Sequence, residues 1–525
     1  MGFAECIDIF LKMLFAAFDV FFRNMFRLIY GKTGKKMPAI KDLVLLESAT
    51  SLAYKIRNGK LSSLDVTNSF IERIHETNKL LNCVVDNRFE DARKEAQAAD
   101  DLIKSGSVSS ESLAKEKPFL GVPFTTKDCI AVKDMLHTSG LYKRKDVKAS
   151  EDAATIKLLR AAGAIPIALT NVSELCMWWE SNNPVHGRTN NPYDSNRIVG
   201  GSSGGEGCIQ AAAGSAFGIG SDIGGSIRMP CFFNGVFGHK PSKFVVSNEG
   251  QFPAAVNREQ DSFLGIGPMV RRAEDLTPLL KVIAGKNAES LKLDEPVDLK
   301  KIKFFYQDCD TGSSFVSSVD PEIKECFSKI AVHLEKAHKI KAQKMELEKF
   351  AQSKDMWLYN MKAGPPGFDM QLGNLEKPIN LNSELLKWFA GCSNHTFVAL
   401  ATALLENTGP GNGSETYRKY VLMRDHFRME MKDMLGDDGV FIYPTHPTPA
   451  PYHNEPLFKP FNFSYTGIFN VLTLPATHIP MGLSKSGLPI GVQVVANDKN
   501  DRLCLAVARE LEKAFGGWVP PQIDA

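Results

Sequence analysis

The residues that could do nucleophilic chemistry together lie in three places in the sequence. Ser202 lies in the run GGSSGG at residues 200–205, Ser226 lies in SDIGGSIRMP, and Lys127 follows the strand-like segment GVPFTT. A serine hydroxyl is a poor nucleophile until a base within hydrogen-bond reach takes its proton. Lysine is such a base only when it is neutral, and burial favours neutrality by penalising the ammonium form. A second serine between them can relay the proton, which gives a triad without histidine.

The glycine- and serine-rich run has two other interpretations, and its surroundings disfavour both. A flexible linker would not continue into CIQAAAGSAFGIG, whose small residues favour a closely packed helix. Residues 200–204 also match the nucleophile elbow G-x-S-x-G, with His239, His446 and His478 downstream as candidate bases. An elbow follows a strand, however, and the preceding NNPYDSNRIV consists mostly of turn formers.

Nucleotides and nucleic acids are not expected as partners. GKT at residues 31–33 resembles the end of a Walker A loop, but Phe26 stands where that loop needs its first glycine. GIGSDI begins like a dinucleotide motif, but Ile223 replaces the third glycine. The chain carries 62 Lys+Arg against 60 Asp+Glu, a formal net charge of +2, and so lacks a chain-wide basic footprint.

The pattern as a whole resembles the amidase signature family, from about residue 40 to the C-terminus. The segments GVPFTTKD, AGAIPIALTNVSE, GRTNNPYD and TLPATHIPMG agree with that family. Its motif residues are present as Gly200, Gly201, Ser202, Ser203, Gly204, Gly205, Gly220, Asp222, Gly224, Ser226, Arg228 and Pro230. Gln210 stands where the family has an apolar residue, within the predicted helix and away from the chemistry.

The resemblance implies a Ser-Ser-Lys triad. Ser226 would attack the carbonyl and carry the acyl group, Ser202 would shuttle the proton, and Lys127 would accept it. The same relay would protonate the leaving amine, which leaves badly without a proton. Neither a metal nor an organic cofactor is implied.

The resemblance also implies an oxyanion hole made of successive backbone amides, because glycines let the chain approach the developing charge closely. These amides belong to Ile223, Gly224, Gly225 and Ser226. The residues expected to support the loop are Ser203, Asp222 and Arg228.

Residues 1–36 are interpreted as a separate membrane-association segment. Residues 1–30 are rich in Phe, Leu and Ile, but charges interrupt them too often for the ~18 apolar residues that a spanning helix needs. Wound as a helix, the segment gathers its charges on one arc of roughly 100°. These charged residues are Glu5, Asp8, Lys12, Asp19, Arg23 and Arg27. Such a helix lies in a membrane surface, and the lysines at 32, 35 and 36 would favour anionic head groups. A surface helix docked on its own domain and a slightly charged signal anchor are the alternatives.

Residues 37–525 are expected to form one catalytic domain of the α/β class. The chain of 525 residues is 43% hydrophobic and 23% charged, as in an ordinary globular enzyme. Short apolar runs such as AIPIALT, GVFGHK and LPIGVQVVA predict buried strands between helices. Ser48 and Ser62 are candidate helix N-caps. The resemblance implies a large mixed, twisted β-sheet covered by helices on both faces.

The expected function is the hydrolysis of carboxylic amides, and the apolar N-terminus together with the resemblance points to long-chain fatty-acid amides. An amidase for short amides or amidated amino acids, and an inactive lipid-amide-binding protein on the same fold, are the alternatives. The ten cysteines lack metal-binding or C-x-x-C spacing, which favours free thiols in a reducing compartment. We therefore expect a membrane-associated, intracellular protein that binds a small lipid amide, and leave a homodimer open.

Overall fold

The computed structural model describes residues 3–31, 34–313, 315–362, 364, 366–408 and 410–523, without the side chains of 3–9 and 11. The strands are β1 Val84–Asn87, β2 Pro123–Lys127, β3 Ile165–Thr170, β4 Asn182–Asn183, β5 Gly187–Arg188, β6 Phe217–Asp222, β7 Phe237–Lys240, β8 Gly265–Val270, β9 Lys303–Tyr306, β10 Gln343–Lys344, β11 Gly439–Pro444, β12 Ala476–Leu483 and β13 Pro489–Ala496. All except the β4–β5 hairpin join one sheet, in the order β1-β3-β2-β6-β8-β7-β12-β13-β11-β9-β10. The sheet is mixed, which confirms the expected α/β class.

The α-helices connect these strands. They are α1 Phe3–Tyr30, α2 Ala49–Arg57, α3 Ser63–Leu81, α4 Phe89–Ser105, α5 Ser110–Glu116, α6 Ala154–Ala161, α7 Gly204–Ala211, α8 Arg228–Asn234, α9 Arg258–Phe263, α10 Leu276–Ala284, α11 Pro321–His333, α12 Ser353–Asn360, α13 Phe368–Leu372, α14 Leu381–Phe389, α15 Phe397–Thr408, α16 Glu415–Leu435, α17 Ser464–Val471 and α18 Asp501–Phe515. The predicted caps are confirmed, because the side chains of Ser48 and Ser62 accept hydrogen bonds from backbone amides in the first turns of α2 and α3.

Three parallel strands at one end of the sheet position Lys127 and the turn that leads to Ser226. β2 pairs in parallel with β3 on one side and with β6 on the other. Their carboxyl ends therefore meet at one edge of the sheet, as they do at the ligand-binding edge of other α/β proteins. Lys127 is the last residue of β2, and Asp222 is the last residue of β6.

A buried carboxyl group fastens α7 to these strands. Glu206, on α7, accepts hydrogen bonds from the Thr125 hydroxyl on β2, from Thr170 Oγ1 on β3 (2.8 Å) and from Gln210 Nε2 (3.1 Å). A Cβ at Gly218 on β6 would lie 1.9 Å from Glu206 Oε1, so only glycine fits there. The polar residue at position 210 thus has a structural role, since it donates to this carboxyl group.

The first helix packs one face on the rest of the protein. The rings of Phe22 and Phe458 stack at 3.9 Å, and Lys459 Nζ lies 2.6 Å from Asp19 Oδ1 and 2.7 Å from Glu455 Oε1. Part of the predicted charged arc therefore faces the protein, where Asp19 finds an ion-pair partner.

The sides of α1 that do not contact the protein are largely apolar and exposed. They carry Phe10, Met13, Leu14, Phe18, Val20, Phe21, Leu28 and Ile29. Helix α1 therefore packs on the protein along one side and leaves apolar side chains exposed along the others. Lys32 and the side chains of Glu5 and Asp8 lie outside the described residues. No helix within the described ranges has the length and apolar character needed to cross a membrane.

The Glu206→Gln variant tests the buried carboxyl group. Burial raises the pKa of Glu206 from 4.5 to about 7, against the opposing effect of its hydrogen bonds from Thr125, Thr170 and Gln210. The folded state thus keeps a proton that the unfolded chain releases, so the free energy of unfolding of the wild type falls as the pH rises between these two values. Urea denaturation of both proteins from about pH 5 to about pH 8 measures this. The stability difference, wild type minus variant, should decrease with pH and level off above about 7; a constant difference contradicts the assignment.

Candidate active site

Lys127 and Ser202 are in direct contact in the interior of the protein. Lys127 Nζ donates to Ser202 Oγ at 2.8 Å and to Ser221 Oγ at 3.0 Å, and the lysine is fully buried. A third, longer hydrogen bond of 3.4 Å goes to the backbone carbonyl of Ser221, so the partners of Lys127 are neutral oxygens, one of which belongs to the predicted relay. The peptide bond between Gly201 and Ser202 is cis. Sequence reasoning missed Ser221, whose only signal is its place one residue before Asp222 at the end of β6.

Ser226 lies beside the glycine- and serine-rich run. The amide of Ser203 donates to the carbonyl of Ser226 at 3.2 Å, and Ser203 Oγ donates to the carbonyl of Ser221 at 3.2 Å. Ser203 thus fastens the run to β6 and to the turn that carries Ser226. Ser226 is 7% exposed, and its hydroxyl makes no hydrogen bond to any described residue. A buried hydroxyl without a partner is free to meet a substrate.

The turn after β6 presents backbone amides next to Ser226. The amide of Gly225 donates to Asp222 Oδ1 at 2.7 Å, so this predicted member of the oxyanion hole already has an acceptor. The amides of Ile223, Gly224 and Ser226 have no acceptor among the described residues. These three are therefore the available donors for a developing oxyanion.

Two distant side chains hold the carbonyl groups of this turn. Trp357 Nε1, on α12, donates to the carbonyl of Ile223 at 2.9 Å, and Thr466 Oγ1, on α17, donates to that of Gly224 at 2.8 Å. A Cβ on Gly224 would lie 3.2 Å from the Trp357 ring, and one on Gly225, whose φ is +118°, would lie 1.9 Å from Thr466 Oγ1. Because Gly224 and Gly225 have no side chains, Trp357 and Thr466 can approach closely enough to hydrogen bond to the turn. No local pattern in the sequence predicts that Trp357 holds this turn.

A fully buried ion pair supports the turn from beneath. Arg228 donates to Asp222 through Nε and Nη2, both at 3.0 Å, and extends to Gln493 on β13 at 2.8 Å and to Asn470 on α17 at 2.7 Å. Burial works to raise the pKa of Asp222, but the Arg228 guanidinium and the hydrogen bonds from Arg228 and Asn470 outweigh it and hold that pKa well below its usual range. The structure thus places Asp222 and Arg228 against the turn that carries Ser226.

The Cys129 thiol lies next to this arrangement, with its sulfur 3.7 Å from Ser221 Oγ, whereas the candidate histidine bases have other hydrogen-bond partners. Burial raises the pKa of the Cys129 thiol, which disfavours the thiolate that a nucleophile needs. Burial also lowers the pKa of His446 and His478 to about 3. Neither they nor His239 hydrogen bonds to Ser202 within the part of the chain that the structure describes. The nucleophile-elbow interpretation therefore finds no histidine at the site.

The fold and this site agree with the family that the motif indicates. A family model described as Amidase matches residues 65–505, and the chain belongs to the amidase family. It is an amidase, an enzyme that hydrolyses carbon–nitrogen bonds. It is 48% identical over 497 residues to fatty-acid amide hydrolase 2 of Homo sapiens, covering 93% of each chain. It is 47% identical over 512 residues to fatty-acid amide hydrolase 2-B of Danio rerio, covering 96% of each. A solved structure of fatty acid amide hydrolase has a TM-score of 0.72 at 22% identity, over 91% of this chain and 86% of that one, which is a likeness of fold.

The Gly225→Ala variant tests the packing of the turn. Its Cβ would collide with Thr466, so the backbone must shift and the neighbouring amides lose their alignment. We expect kcat to fall by about 10²-fold or more, as when an oxyanion donor is lost. Gly482→Ala is the matched control, because its φ is also positive, +95°, but no atom lies within 4 Å of the added Cβ. Equal activity in the two variants contradicts the role of the contact with Thr466.

Proposed function

We propose that this amidase cleaves long-chain fatty-acid amides to fatty acid and amine through an acyl-enzyme on Ser226. The observation that carries the proposal is the buried 2.8 Å hydrogen bond from Lys127 to Ser202, next to a serine with a free hydroxyl and a row of free amides. The names of the relatives from Homo sapiens and Danio rerio support the substrate class.

Acylation begins when the substrate carbonyl lies over the turn after β6. Ser226 Oγ attacks the carbonyl carbon and passes its proton to Ser202, which passes its own to a neutral Lys127. The carbonyl oxygen becomes an oxyanion, and the amides of Ile223, Gly224 and Ser226 stabilise it. One such donor typically lowers the barrier by ~3 to 4 kcal/mol.

Collapse of this intermediate breaks the carbon–nitrogen bond. The proton returns from Lys127 through Ser202 to the nitrogen, because an amine leaves badly as an anion. Water then attacks the ester on Ser226, its proton following the same relay, and the fatty acid is released. Ser202 and Lys127 thus act in turn as base and acid, and the proton taken from water returns to Ser226 Oγ, which regenerates the nucleophile.

An amphipathic cavity lies beside the catalytic loop. Its volume is about 320 Å³, and its lining includes Trp178, Trp388, Phe397 and Leu457. The carbonyl of Trp178 would lie 2.5 Å from a Cβ on Gly201, the neighbour of Ser202, so this cavity wall contacts the run that carries the relay.

The apolar face of α1 supports a membrane-surface location. Long-chain amides partition into membranes, and each large apolar side chain that a membrane buries contributes ~1.5 to 3 kcal/mol. A face with this many exposed apolar residues is sufficient for reversible binding, with Arg23 and Arg27 exposed on the same helix for anionic head groups. The nine cysteines with described side chains are free, which supports an intracellular location.

The Ser226→Ala variant tests the nucleophile. We expect turnover to fall by more than about 10³-fold with an unchanged melting temperature, because one hydroxyl is lost and no backbone donor. A fluorophosphonate probe followed by peptide mapping should label Ser226 in the wild type and nothing in the variant. Ser262→Ala, on α9, is the control and should label and turn over normally. Wild-type turnover without Ser226 disproves the mechanism, and an unlabelled, inactive wild type favours a binding protein.

A triple variant, Leu14→Gln, Leu28→Gln and Ile29→Gln, tests the membrane surface and the substrate together. These side chains are 54%, 85% and 65% exposed, so the fold should not need them. We expect binding to anionic vesicles to fall by at least about tenfold. Hydrolysis of vesicle-embedded long-chain amides should fall with it, while hydrolysis of a short soluble amide is retained.

The matched control replaces three apolar residues of similar exposure away from α1, Val332, Leu422 and Met429, by Gln. It should bind vesicles like the wild type. If the α1 variant still sediments fully with vesicles, the exposed apolar residues of α1 do not form the membrane-binding surface. A wild-type preference for the short amide favours the alternative amidase for soluble substrates.

A further inference from the structure

Three metal-binding side chains converge on the surface of the protein, where the end of α11 approaches α18. His333 Nε2 and His338 Nε2 lie 2.8 Å and 2.6 Å from the same oxygen of Glu510, Oε1. The three side chains are 23%, 21% and 15% exposed. Each one therefore has an atom able to bind a metal at one point that solvent can reach.

An unusual backbone segment brings the two histidines together. His333 is the last residue of α11, and Leu334–His338 continues it as a single π-helical turn. Lys339, with a φ of +62°, ends the turn in the left-handed region. Isolated π-turns are rare and frequently occur at functional sites. Here the turn places two imidazoles, five positions apart in the sequence, against one carboxylate.

An aromatic ring borders the cluster on the side of His333. The rings of His333 and His338 lie edge to face at 5.7 Å, and the Phe515 ring lies 5.6 Å from His333. Among the described residues, the ion pairs of Glu510 are those with the two histidines. A carboxylate and two imidazoles thus face one another without a fixed lysine or arginine at their centre.

We propose that His333, His338 and Glu510 form a binding site for a divalent transition metal of the zinc class. Zinc takes imidazole nitrogen at ~2.0 to 2.1 Å and carboxylate oxygen at ~2.0 to 2.2 Å, which separates ligand atoms by about 3.3 Å. The carboxylate oxygen and each imidazole nitrogen must therefore separate by roughly 0.5 to 0.7 Å, and the two nitrogens, which lie within 4.8 Å of one another, must reach a similar spacing through side-chain rotation. Magnesium and calcium prefer oxygen ligands and do not suit two imidazoles.

Binding replaces the present hydrogen bonds by metal–ligand bonds. Each imidazole binds through Nε2 and carries its ring proton on Nδ1, and water completes the coordination. The metal then joins the end of α11 to α18, two helices that both contact β13. It stabilises the folded protein by mass action and takes no part in amide hydrolysis.

The test is zinc binding by the full-length enzyme, freed of metal with a chelator, followed by titration calorimetry with zinc chloride. The wild type should bind one equivalent, and His333→Gln, His338→Gln and Glu510→Gln should each weaken binding by at least about tenfold. Cobalt chloride should give a visible absorption band in the wild type that these variants lack. His426→Gln is the matched control, because His426 is exposed on α16 and lies outside the cluster.

Two further measurements separate metal binding from folding. Zinc should raise the melting temperature of the wild type and of His426→Gln but not of the cluster variants, and amidase activity without zinc should be equal in all of them. A wild type that shows no saturable binding overturns the proposal and leaves an ion-pair clamp between the helices. Undiminished binding in the cluster variants overturns it as well.

Discussion

The buried ion pair between Asp222 and Arg228 is the interaction on which the candidate active site depends. Two charges removed from water are costly unless every hydrogen-bonding position is used. Here Asp222 accepts from Arg228, from Asn470 and from the amides of Gly225 and Ile227. Satisfying this carboxylate bends the chain after β6 so that some amides turn inward to it. The amides of Ile223, Gly224 and Ser226 do not bond to Asp222, so they remain available to a substrate oxygen.

The parallel strands supply the other half of the site. β2 and β6 run in the same direction, so Lys127 and the turn after β6 reach the same edge although they are far apart in sequence. Helix α7 then starts from the glycine- and serine-rich run, and Glu206 fixes it against β2 and β3. Ser202 comes to lie against Lys127 because the strands and this helix are fixed relative to one another. The catalytic geometry is therefore a product of sheet topology as much as of the motif.

The sequence predicts those features that depend on residues close together in the chain. Apolar runs such as AIPIALT identified strands, Ser48 and Ser62 identified helix starts, and a long motif identified the family. Contacts between residues far apart in the chain cannot be predicted in this way. Nothing near Trp357 or Thr466 indicates that their side chains hold the turn that carries Ser226, because that fact belongs to the packing of α12 and α17. The helical pattern of α1 likewise predicts that this helix is amphipathic, but it does not predict which side packs on the protein.

The docking of α1 determines what kind of attachment a membrane contact would be. A helix at the end of a loose chain works as a tether and lets the enzyme tumble above the lipid. Helix α1 is instead fixed by the stacking of Phe22 on Phe458 and by the ion pair between Asp19 and Lys459. If its outer face enters the bilayer, the whole protein is held at one tilt and one height. Capture of a substrate dissolved in the bilayer would then be a search in two dimensions, by lateral diffusion toward an enzyme of fixed orientation.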